Sequence, residues 1–93
     1  MVLSQIHKEI LQLLRQGKNV VVHDREANHM VFFDKDRGGF YYKAEGDFGL
    51  HLNELKDENA VLNQLEMICE IPLSGYVGDV MWLGILDRMQ RSS

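Results

Sequence analysis

Ninety-three residues carry a formal net charge of −4, from 14 Asp and Glu against 10 Lys and Arg, with 45% hydrophobic and 26% charged residues. That suffices for one domain with a core needing neither disulfides nor a structural metal, and it excludes a disordered chain. Scattered acidity from Asp24 to Asp87 argues against direct nucleic-acid binding, which needs clustered Lys and Arg, and a single cysteine, Cys69, leaves no intrachain disulfide or thiolate cluster and fits a cytoplasmic setting.

The stretch from Met1 to Glu9 lacks the basic start and unbroken apolar run of a signal peptide. No segment approaches the roughly 20 apolar residues that span a bilayer, so no membrane is expected. Residues 1–93 read as a single α+β domain.

Leu3, Ile6, Ile10, Leu13 and Leu14 recur at helical spacing, with Gln5, Lys8, Glu9, Gln12 and Arg15 opposite. Ser4 suits the N-cap of this first helix and Gly17 the position after its end, with Arg15 in the last turn facing the negative end of the helix dipole.

From Lys18 to Ala44 the pattern changes to β-branched and aromatic runs broken by short polar segments: Val20-Val21-Val22, Met30-Val31-Phe32-Phe33 and Phe40-Tyr41-Tyr42. This predicts a three-stranded antiparallel meander. A first turn that pairs Asp24 with His29 sets Val22 opposite Val31 and Val20 opposite Phe33, and a second turn centred on Asp36-Arg37 sets Phe33 opposite Phe40. The period of two then collects Val20, Val22, Val31, Phe33, Phe40, Tyr42 and Ala44 on a core face, and Val21, His23, Met30, Phe32, Tyr41 and Lys43 on the other.

The second face does not alternate apolar with polar as a wet face does. Val21, Met30, Phe32 and Tyr41 forgo roughly 1.5–3 kcal/mol for each large side chain left in water, so cover is expected from the chain's own helix or from a partner. After the glycine-punctuated turn Glu45-Gly46-Asp47-Phe48-Gly49, Leu50-His51-Leu52 reads as a short fourth strand or an extended lead-in.

Asn53 or Asp57 caps the second helix, whose buried side holds Val61, Leu62, Leu65, Ile68 and Cys69 and which Pro72 ends. A third helix begins at Ser74 or Gly75 and runs to about Arg91. Val77, Met81, Trp82, Ile85, Leu86 and Met89 cover close to half of its wheel, with Val80 and Leu83 apolar outside that arc. A helix facing one core needs less. The simplest arrangement lets the spare surfaces of sheet and third helix cover each other, because a compact domain buries its own surface first. Failing that, a homodimer or a heterologous protein partner covers Val21, Met30, Phe32, Tyr41, Trp82, Leu83 and Leu86, residue types that include common interface anchors.

Chemistry-bearing clusters are sparse. His23, Asp24 and His29 surround the first hairpin, and a carboxylate that fixes an imidazole recurs in metal sites and general-base pairs. Spacing fixes no third ligand, and His23 points to the opposite face. His7 and His51 are isolated, and Cys69 among Leu65, Ile68 and Ile71 reads as a buried, unreactive thiol. Ser74-Gly75-Tyr76-Val77-Gly78 lacks the glycine spacing and terminal Lys-Ser/Thr of a phosphate loop. Glu45, Asp47, Glu54, Asp57 and Glu58 are expected to form an acidic patch near one end of the sheet.

Helix, meander, helix is also the element order of double-stranded-RNA-binding domains, but Asp57-Glu58-Asn59 or Ser74-Gly75-Tyr76 stands where those carry a Lys-rich helix start. The order of helix, three strands and two helices resembles that of some small acidic phage inhibitors of bacterial defence nucleases, including certain anti-CRISPR proteins. No residue motif is shared, and no site is carried over.

The expected architecture is α-β-β-β-(β)-α-α, a three- or four-stranded antiparallel meander packed with three helices. The expected function is that of a small non-enzymatic interaction module of bacterial or phage origin, an inhibitor, adaptor or regulator without a cofactor. The rival reading is a small metal-dependent or hydrolytic enzyme built on His23, Asp24 and His29.

Overall fold

The computed structural model describes residues 4–72 and 76–91. Along the chain run α1 (Gln5–Arg15), β1 (Val20–His23), β2 (Ala27–Asp34), β3 (Gly39–Gly46), β4 (Gly49–Leu55), α2 (Glu58–Cys69) and α3 (Tyr76–Arg91). The strands form one antiparallel sheet in the order β1-β2-β3-β4. The segment Leu50-His51-Leu52 thus forms the first half of a full edge strand. Leu3, the expected start of α3 at Ser74 or Gly75, and the side chain of Val77 lie outside the described residues.

α1 begins where Ser4 accepts a hydrogen bond from the His7 amide at 3.3 Å and ends before Gly17, whose φ of 100° suits a residue without a Cβ. It buries more than the expected stripe, because it lies between the sheet and α3. Leu11, absent from that stripe, is buried with Ile10 and Leu14. α2 is capped by Asp57, which accepts from the Ala60 amide at 2.8 Å, and it buries Val61, Leu62 and Leu65 against β2, β3 and β4.

The second turn forms as its residues dictate: Phe33 pairs with Phe40, and Asp34 accepts from the amides of Asp36 and Arg37. The first turn corrects the expected register by two residues. Val20 pairs with Val31 and Val22 with His29, so Asp24 is not the cross-strand partner of His29. Asp24 Oδ1 captures the amides of Glu26 and Ala27, both at 2.8 Å, and pinches the loop down to Arg25 and Glu26. A slip of two leaves every side chain on its expected face.

The core is a single cluster in which Val20, Val31, Phe40 and Leu55 of one sheet face meet α1 and α2. α3 adds Trp82, Ile85, Leu86 and Met89 from beyond α1. The expectation that α3 covers the second sheet face is therefore overturned. It packs on α1 and reaches the sheet beside the edge strand β1, where Ile85, Arg88 and Met89 meet Val20 to Val22 around a cavity of about 260 Å³. The apolar arc of α3 is spent on α1 and the core.

Candidate protein-binding face

With the helices on one side, the other side of the sheet is open among the described residues, and its register fixes which side chains share it. A central row runs Val21, Met30, Lys43, Leu52 across the four strands. One flanking row is His23, Asn28, Glu45, Leu50, and the other is Phe32, Tyr41, Glu54. Six apolar or aromatic side chains thus surround one lysine, with a carboxylate in each flanking row. Val21 is 37% exposed, Leu52 45% and Leu50 64%, while Met30, Phe32 and Tyr41 are half-buried by their neighbours.

The half-burial is lateral. Phe32 and Tyr41 stack across the strands with centroids 5.9 Å apart, and the Arg37 guanidinium lies 5.4 Å from the Tyr41 ring centroid. Lys43 and Glu45 make no ion pair among the described residues.

The structure brings together Val21, Met30, Phe32 and Tyr41 of the expected interaction residues. It does not bring the helix residues to them. Trp82 and Leu86 are core residues, 6% and 7% exposed, and Trp82 packs edge-on against the His7 ring at 4.7 Å. Leu83 is exposed on α3, away from the sheet face. Leu50 and Leu52 join the patch unannounced, although their alternation with His51 and Asn53 was the available signal.

The expected acidic patch divides. Glu45 and Asp47 sit at the β3–β4 turn, whereas Glu54 lies toward the other end of β4, followed by Asp57 and Glu58 at the start of α2. Asp57 is spent on its cap, and Glu58 meets Arg15 at 3.4 Å. The same guanidinium lies over Phe40 and fastens the C-terminus of α1 to the sheet.

The hairpin cluster keeps its expected faces and its carboxylate–imidazole contact, although the backbone pairing of Asp24 with His29 is not the expected one. His23 binds Asn28 at 2.6 Å on the open face, while His29 turns to the core face. There its Nε2 lies 2.6 Å from Asp24 Oδ2, a carboxylate oxygen that accepts the ring N–H, and its Nδ1 lies 2.7 Å from the Tyr42 hydroxyl. Tyr42 was not foreseen, though it shares the parity of His29 on a neighbouring strand. Two backbone amides and then His29 hold the Asp24 carboxyl below its ordinary range, and desolvation followed by the charge of Asp24 pushes the Tyr42 phenol up. The chain borders a cleft of about 360 Å³ against Gln64, Met67 and Ile68. Among the described residues no three His, Cys, Asp or Glu converge on a metal-binding geometry.

Cys69 is half-buried near Arg88, and desolvation raises its thiol despite that charge. No described helix is long and apolar enough to cross a membrane. No family model, curated protein or solved structure matches the chain.

Proposed function

We propose that the protein is a non-enzymatic interaction module whose open sheet face docks on another protein surface, so that it serves as an inhibitor, adaptor or regulator. One observation carries this reading: α1 and α2 occupy one side of the sheet and α3 lies beyond α1, while Val21, Met30, Phe32, Tyr41, Leu50 and Leu52 line the other. Full burial of large side chains of this kind is worth roughly 1.5–3 kcal/mol each, a gain the monomer collects only in part. The sheet also favours docking, since a hydrogen-bonded four-stranded backbone needs no folding on binding and only its side chains have to be ordered. A reducing cytoplasmic setting suits the lone thiol of Cys69.

The Asp24–His29–Tyr42 chain is a lock on the first hairpin in this reading. Both imidazole nitrogens are engaged, and a phenol held in its protonated form is the opposite of an activated nucleophile. His23, the third member of the rival cluster, faces the other way.

The test places a photo-crosslinking side chain at Met30 in the producing cells, with Gln90, exposed near the end of α3, as the control position. A discrete protein adduct from Met30, absent at Gln90 and lost when Phe32→Glu is added, is the expected result. Equal labelling at both positions, or none at Met30, overturns the reading.

A further inference from the structure

We infer that the occupant of the open sheet face is a second copy of this chain, packed face to face about a two-fold axis that runs along the strands between β2 and β3. This rests on the docking reading above and names its partner. A two-fold interface must be self-complementary, each residue meeting one that meets it in return. An axis in that position exchanges β1 with β4 and β2 with β3 across the interface. Val21 then lies over Leu52, Phe32 over Tyr41 and Met30 over the aliphatic stem of Lys43, each pair occurring twice, and Leu50 is covered by His23.

Charge selects the same arrangement. Lys43 stands amid the apolar residues without an ion pair among the described residues, and Glu45 is equally unengaged. After the two-fold exchange, Lys43 of one copy lies one strand and one pleat repeat from Glu45 of the other, within reach of two long side chains across sheets about 10 Å apart. Both copies gain that pair. A two-fold axis across the strands through the central row instead lays Lys43 on Lys43, a like-charge contact.

Area sets the strength. Four strands about 4.8 Å apart and three rows of side chains give each copy a face of roughly 400 Å² in projection. Two such faces total roughly 800 Å², below the ~1,200–2,000 Å² of stable specific interfaces and in the range of weak, transient ones, so association no tighter than the micromolar range is expected.

Sedimentation equilibrium from about 1 to 300 µM is the experiment. The expected result is a monomer–dimer equilibrium, weakened about tenfold or more by Lys43→Glu and by Glu45→Lys separately and restored in the double variant, with circular dichroism unchanged in all. A folded monomer across the whole range overturns the second copy as occupant. A dimer indifferent to the charge reversals overturns the face or the axis. A monomer that still gives the Met30 adduct to a different protein sinks this inference alone and leaves the docking reading standing, whereas a monomer with no adduct removes both.

Discussion

Asp24 closes the first hairpin by accepting from the Glu26 and Ala27 amides with one oxygen and from the His29 ring with the other. Its carboxyl is held below the ordinary value of 3.8, and a depressed acid stabilises the fold above the unfolded value and loses that contribution as pH falls through the folded one. Asp24→Asn keeps an acceptor for the amides and removes the charge. Thermal melts of both proteins between about pH 7 and pH 2 should therefore show wild type the more stable at neutral pH, with the gap closing below the ordinary carboxylate value. Melting curves that stay separated by the same amount at every pH would show that the charge of Asp24 does not hold the hairpin.

At the scale of elements, α2 has a well-made start and a strained stop. Asp57 caps it, but the chain leaves it through Glu70 at φ 55° and ψ 44°, the left-handed region that a Cβ disfavours. Asp57→Ala should cost about 1 kcal/mol. Glu70→Gly should gain roughly 0.5–1 kcal/mol, the relieved strain exceeding the extra entropy of an unfolded glycine. Urea unfolding of the two variants should bracket the wild-type midpoint, and shifts of the same sign would show that the helix ends do not limit its stability. Such local features were legible, because Ser4, Asp57 and the period of two act through nearest neighbours. The pinch at Asp24 was not, since it depends on which of two loop lengths the carboxylate selects. Nor was the burial of Trp82 and Leu86, since a half-apolar wheel does not say whether its second neighbour is a sheet or another helix. Val21, Met30, Phe32 and Tyr41 were assembled correctly because parity survives a slip of two, whereas Leu50 and Leu52 awaited the demonstration that β4 is a full strand.

For the molecule as a whole, the decisive fact is that all the helical cover lies on one side. Val31 and Phe32 are adjacent in β2, both apolar, yet Val31 is fully buried under the helices and Phe32 rests only on its lateral neighbours. Stability should follow that division and not hydrophobicity. Leu62→Ala, which empties a site that is 1% exposed between α2 and the sheet, should cost about 2–5 kcal/mol. Phe32→Thr removes more carbon but forfeits mainly the stacking on Tyr41, and threonine suits a strand, so the expected cost is about 0.5–1 kcal/mol. The measurement is urea unfolding at protein concentrations well below the micromolar range, so that any dimer is dissociated and the monomer alone is read. Under those conditions a Phe32→Thr loss as large as that of Leu62→Ala would mean that the second face is covered within the chain. A small loss that grows with protein concentration would locate its cover in a second copy, because linkage to association adds to stability only where the partner is present.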